Sequence, residues 1–274
     1  MQARKLVAEA LGTAILVFLA VGVATLTFGM KDYSASGLVG QPAQGAVIPL
    51  FGTTASAGIV ATALSFGFVL LGLAYAIGPI SGAHVNPAVT LGFLLSGRQK
   101  PQEAVGYWVA QFIGGIAGGA ALYGIVSSTS MWHGSGANAS SLGADGFGAK
   151  SMVGLGWGGA FIAEAILTFV FVLIVLLATS KIADATAGGL AVGIGLLIVH
   201  LVGIPLTGTS VNPARALAAA IFSGSTALGQ VWLFIVAPLV GGAVAAGAYK
   251  FFVPSESEPP PVRGPEESPV EPAL

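Results

Sequence analysis

The 274-residue chain is 55% hydrophobic and only 8% charged, a composition that argues against a water-exposed globule. A formal net charge of −1 offers no basic surface for nucleic acid, so no nucleic-acid partner is expected. Cysteine is absent, which removes disulfides and thiolate metal sites; no metal, cofactor or covalent chemistry is expected, and the chain is not read as an enzyme.

The first predicted span covers about 6–28, follows Arg4 and Lys5, and carries Glu9 near its start. A bilayer crossing takes roughly 20 apolar residues, and with no convincing cleavage site this run is read as a retained span. Residues 29–56 contain Gly, Pro and Ser with few charges and form an exposed connection. A second span, about 57–78, ends at Gly78-Pro79. After Ser81-Gly82-Ala83-His84-Val85 comes an apolar piece, 87–96, too short to cross. It starts as a helix does, with Asn86 at the cap and Pro87 at the first helical position. Non-helical backbone at membrane depth is tolerable only inside protein or along a wet cavity, so 87–96 is a half-helix dipping in from one side.

A polar turn at 97–101 leads to the third span, about 103–126, where Gly114, Gly115, Gly118 and Gly119 form two interleaved pairs of small residues suited to close helix packing. Residues 127–155 are a Ser/Gly-rich connection. The fourth span, about 158–179, contains Glu164, and the fifth, about 186–204, runs to Pro205. Asn212 and Pro213 open a second half-helix, 213–222, and the sixth span occupies about 228–252. From Pro254 onward Pro, Glu and Ser dominate, so 254–274 is expected to be a disordered cytoplasmic tail.

The two broken stretches are copies. Residues 67–91 read GFVLLGLAYAIGPISGAHVNPAVTL and residues 193–217 read GIGLLIVHLVGIPLTGTSVNPARAL, with Asn212 following Asn86, and Gly193 following Gly67, by 126 residues. Ala8-Glu9-Ala10 answers Ala163-Glu164-Ala165, and AQFIGG at 110–115 answers APLVGG at 237–242. Each repeat, about 4–126 and 158–252, holds three spans and a half-helix. An odd number of crossings inverts the second repeat, so the half-helices enter from opposite faces and meet tip to tip. The fold class is therefore an all-α polytopic membrane protein: six transmembrane helices plus two re-entrant half-helices in two inverted repeats, with 1–253 as one domain. Arg4, Lys5, Arg98, Lys100, Lys181, Lys250 and Arg263 then lie on the side of the N-terminus, against Lys31 and Lys150 on the other. That bias places both termini in the cytoplasm.

Two helix N-termini meeting in mid-membrane present unpaired N–H groups and partial positive charge. An asparagine at each tip can cap its own helix with its oxygen and still offer N–H donors. A neutral molecule that accepts hydrogen bonds would pass such a point, while a cation or hydronium would be repelled. Arg215 lies on the first turn of the second half-helix, where a buried arginine is costly and adds donors and charge to the pore wall. His200 interrupts an apolar run close to the second break and is read as pore-lining, while His84 fits lining or packing equally. Glu9 and Glu164, placed alike in the repeats, are read as acceptors for the N–H groups of the broken segments rather than as a proton relay.

At SGAHVNPAVT and TSVNPARA the sequence resembles the aquaporin (major intrinsic protein) family, over about residues 4–252. The resemblance implies a ring of four side chains at the outer mouth, falling here on Phe66, His200, Thr209 and Arg215, the set of the bacterial water-selective type. Phe66 is singled out by the resemblance alone. Phe66 and His200 would narrow the ring, and His200 and Arg215 would supply donors. Polyol-conducting members usually carry an aspartate directly after the arginine, where this chain has Ala216. The family pattern also makes Asn86, Pro87, Ala88, Asn212, Pro213 and Ala214 the pore midpoint. It assigns the carbonyls of Gly82, Ala83, His84 and Val85, and of Gly208, Thr209, Ser210 and Val211, to a ladder of acceptors. A homotetramer in the cell (inner or plasma) membrane, with one pore per subunit, follows from the same resemblance.

The function expected is a passive channel for water that excludes protons and ions. A facilitator for glycerol or other small neutral solutes is the nearest alternative, and a non-conducting scaffold a more distant one. A secondary active transporter would need coupling-ion ligands at the breaks, yet no Asp or Glu lies within 16 residues of Asn86 or 27 of Asn212.

Overall fold

The structure is a computed structural model that describes residues 2–29, 53–129, 132, 141–183 and 187–253. Most of the 29–56 connection, His133 and the 254–274 tail lie outside the described residues. Eight helices organise the described chain: α1 (Gln2–Phe28), α2 (Thr53–Ala76), α3 (Pro87–Leu95), α4 (Pro101–Val126), α5 (Trp157–Ala178), α6 (Gly188–Thr207), α7 (Pro213–Ile221) and α8 (Ser225–Phe252). Six are long and apolar enough to cross a membrane. At nine residues each, α3 and α7 are not; they rise only about 14 Å.

Helix pairing repeats in the two halves. α1 packs on α4 and α5 on α8, and α2 packs on α6 across the halves. α3 rests chiefly on α8, the last span of the other repeat, and α7 lies between α4 and α8, the last spans of both repeats. Where α2 crosses α6, the backbones touch. A Cβ added at Gly67 would lie 2.9 Å from the Gly193 carbonyl, and one at Gly193 would lie 2.9 Å from the Gly67 carbonyl. No other residue permits that approach.

Three local features differ from the sequence reading. The breaks do not fall at the prolines: α2 ends at Ala76 and a further turn, Gly78–Ser81, contains Pro79. α6 continues through Pro205 to Thr207; the proline gives up its own N–H and crowds the Leu201 carbonyl, but only two helical residues follow it. What ends each segment is a left-handed glycine, Gly82 at φ +90° and Gly208 at φ +93°. Finally, α1 contains a π-turn at Val17–Val21 and runs out through a second, Thr25–Gly29. Thr25 and Thr27 hydroxyls donate to the Val21 and Val23 carbonyls (2.8 and 2.6 Å), back-bonding that loosens a helical ladder.

Candidate functional site

Each half-helix starts because its cap is chemically complete. Asn86 is extended (φ −156°), its Oδ1 accepts from Ala88 N at 2.8 Å, and Pro87, which has no N–H to satisfy, takes the first helical position. Asn212 does the same, accepting from Ala214 N and Arg215 N at 3.1 and 3.2 Å. The other end of each amide reaches across the pseudo-twofold axis. Asn86 Nδ2 donates to the Val211 carbonyl at 2.8 Å, and Asn212 Nδ2 donates to the Val85 carbonyl at 2.9 Å. One N–H per asparagine is thereby committed to protein, and the second remains for whatever occupies the junction.

The non-helical segments before the caps are held in a costly conformation. Ala83, Val85, Thr209 and Val211 all have positive φ (50°, 43°, 63° and 43°), which L residues, and β-branched ones above all, avoid. Two fully buried carboxylates hold them there. Glu9 accepts from His84 N (2.9 Å), Val85 N (2.7 Å), Ser81 Oγ (2.7 Å) and Gln111 Nε2 (2.8 Å). Glu164 accepts from Ser210 N (2.9 Å), Val211 N (2.9 Å) and Thr207 Oγ1 (2.6 Å). A carboxylate supplies acceptors to N–H groups that have no ladder, in a region without bulk water to do so.

Phe66, His200 and Arg215 come from α2, α6 and α7, Thr209 from the non-helical segment between α6 and α7, and all four are buried. The Phe66 and His200 rings stack with centroids 4.0 Å apart, and the Arg215 guanidinium carbon lies 5.4 Å from the Phe66 centroid. A narrow cavity runs from this stack past Val85 and Val211 to Asn86 and Asn212, with Leu16 and Phe171 on its apolar wall. His84 also borders it, while stacking on Phe93 at 4.2 Å and bonding Thr90 Oγ1 through Nδ1 at 3.1 Å, so lining and packing are combined in one residue.

His200 differs from the expectation that it supplies a donor. Its Nδ1 lies 2.8 Å from the Leu196 carbonyl, which can only accept, so Nδ1 carries the hydrogen. In the neutral ring Nε2 is then an acceptor, and it has no partner among the described residues.

One residue of the site was absent from the sequence reading. Residues 141–147 of the 127–155 connection lie against the start and end of α7, and Asp145 forms an ion pair with Arg215 through Oδ2 and Nη1, both side chains 1% exposed. Arg215 Nη2 also donates to the Gly143 carbonyl at 3.1 Å. A signal existed: Asp145 is the lone acidic residue between Glu103 and Glu164, and a buried arginine calls for a counter-charge.

The family pattern described as "Major intrinsic protein" matches residues 1–249. The chain belongs to the major intrinsic protein family. Within it, a protein named Aquaporin Z from Brucella melitensis biotype 1 is 44% identical over 193 residues, 70% of this chain and 82% of that one. Another Aquaporin Z, from Photorhabdus laumondii subsp. laumondii, is 39% identical over 247 residues, 90% of this chain and 96% of that one. The X-ray structure of the aquaglyceroporin from Plasmodium falciparum aligns with a TM-score of 0.68 at 21% identity, covering 91% of this chain and 96% of that one, a likeness of fold. This major intrinsic protein is thus a membrane channel rather than an enzyme.

Proposed function

We propose that this channel conducts water passively and rejects protons and ions. The observation that carries the reading is the reciprocal junction, Asn86 Nδ2 to the Val211 carbonyl and Asn212 Nδ2 to the Val85 carbonyl, with two helix N-termini aimed at one point. A water there accepts from the remaining asparagine N–H groups, so its own hydrogens point away along the pore, while the two positive helix ends repel hydronium. Phe66, His200, Thr209 and Arg215 act as the size and charge filter. The carbonyls of 82–85 and 208–211 serve as the acceptors along the path.

Close stacking of Phe66 on His200 favours water over glycerol, as do the names of the relatives. The reading extends to a homotetramer, one pore per subunit, in the inner membrane with both termini cytoplasmic. One channel domain spans 1–253, followed by a tail at 254–274.

Stopped-flow light scattering on proteoliposomes tests it. Fast shrinkage in sucrose without fast glycerol re-entry is expected. Rapid glycerol entry would transfer the assignment to a solute facilitator.

A further inference from the structure

Asp145 is presented by a clamped segment. Gly146 N donates to the Thr207 carbonyl at 2.8 Å, tying the segment to the end of α6. Phe147 N donates to Gln230 Oε1 at 2.9 Å and its carbonyl accepts from Gln230 Nε2 at 3.2 Å, tying it to α8. Leu142 N donates to Ser223 Oγ at 2.8 Å, just past α7, and the Leu142 side chain is fully buried. Gly208 is shaped for the carboxylate: a Cβ there would stand 3.0 Å from Asp145 Oδ1. Three separate elements therefore fix the carboxyl group against Arg215, deep enough that water does not screen the pair.

An arginine at a pore constriction, on a long flexible stem, could reach several positions across the lumen. Here Asp145 and the Gly143 carbonyl both engage the guanidinium from the side of the connection. The guanidinium already lies over the Phe66 ring, 5.4 Å from its centroid, so the ion pair holds one side of it and an aromatic face of the constriction attracts the other.

We propose that Asp145 is a positioning residue of the pore. By ion-pairing Arg215 it draws the guanidinium toward the outer connection, keeps the space beside Phe66 and His200 open to water, and offsets the charge of the filter. This inference rests on the reading of Arg215 as a filter residue. It adds that the connection between α4 and α5 belongs to the filter and is more than a link.

A double-mutant cycle in proteoliposomes at pH 8 tests it, with water permeability normalised to folded channel per vesicle. Asp145→Asn keeps the shape of the side chain and removes its charge. With Arg215 present it is expected to lower water permeability about threefold or more, and in an Arg215→Val background to change it by less than about 1.5-fold. Asp145→Ala should show the same dependence on Arg215, which guards against a fold-specific failure of one variant. A purely structural role would give equal fold-changes in both backgrounds, and that result overturns the proposal, as does an Asp145→Asn channel as fast as the wild type. If Arg215→Val alone changes neither water nor glycerol permeability, the filter reading itself fails.

Discussion

Asp145 and Arg215 are equally buried, and either charge left there alone would be costly. Burial pushes the Asp145 carboxyl up to about 7; Arg215 opposes that rise and Glu164, behind it on α5, adds to it. The sign follows directly. Above about pH 7 the carboxylate is ionised and the pair intact; as pH falls through that value the group takes up a proton and Arg215 loses its counter-charge. Water permeability is expected to fall between pH 8 and pH 6 in the wild type and to stay flat in Asp145→Asn. A wild-type profile as flat as that of the variant would detach filter geometry from this ionisation. No periodicity in the sequence could have announced the contact, because it joins positions 70 residues apart through an irregular segment. The asparagine caps were legible for the opposite reason: capping is local chemistry, written in the dipeptides Asn86-Pro87 and Asn212-Pro213.

At the scale of elements, the same contrast explains which boundaries were legible. Both half-helices begin where Asn-Pro places them, at Pro87 and Pro213, and end one residue before the expected 96 and 222. The breaks were misplaced because proline looks like a stop in sequence, while the glycine three residues on, Gly82 after Pro79 and Gly208 after Pro205, supplies the turn. The interleaved glycines of α4 prove to serve two partners. Gly114 and Gly118 face Ala10 and Ala14 of α1, whereas Gly115 and Gly119 face Ala214 and Ala218 of α7. The contacts differ in severity. Both meet backbone carbonyls, but a Cβ on Gly114 would run into that of Ala10, whereas one on Gly115 would meet that of Ala214 at 3.1 Å, which a shift of a few tenths of an ångström relieves. Gly114→Ala is therefore expected to cost about 1–3 kcal/mol through overpacking. Gly115→Ala should come close to neutral, since alanine gains about 1 kcal/mol of helix propensity. Thermal unfolding in detergent checks the order, and equal midpoints for the two variants would contradict the packing.

At the scale of the whole molecule, the repeats are bound together by exchange: each half-helix leans on the other repeat's last span, and each asparagine bonds the other repeat's chain. Each half holds its own break through its glutamate and borrows one hydrogen bond from the other. Glu9 and Glu164 stand at equivalent points of this arrangement, accepting four and three hydrogen bonds respectively. If they are internal acceptors, exchange for glutamine should harm both repeats alike, because an amide turns one acceptor oxygen into a donor facing a donor. Losing hydrogen bonds to a charged acceptor costs about 1.5–3 kcal/mol each, so Glu9→Gln and Glu164→Gln should both lower the thermal midpoint, and by similar amounts. A proton relay predicts a different pattern: glutamine would leave stability largely intact and abolish a dependence of flux on the proton gradient. Measuring the midpoint of both variants together with water flux under an imposed pH gradient separates the two. A midpoint unmoved in either variant would remove the carboxylates from the frame that holds the breaks open.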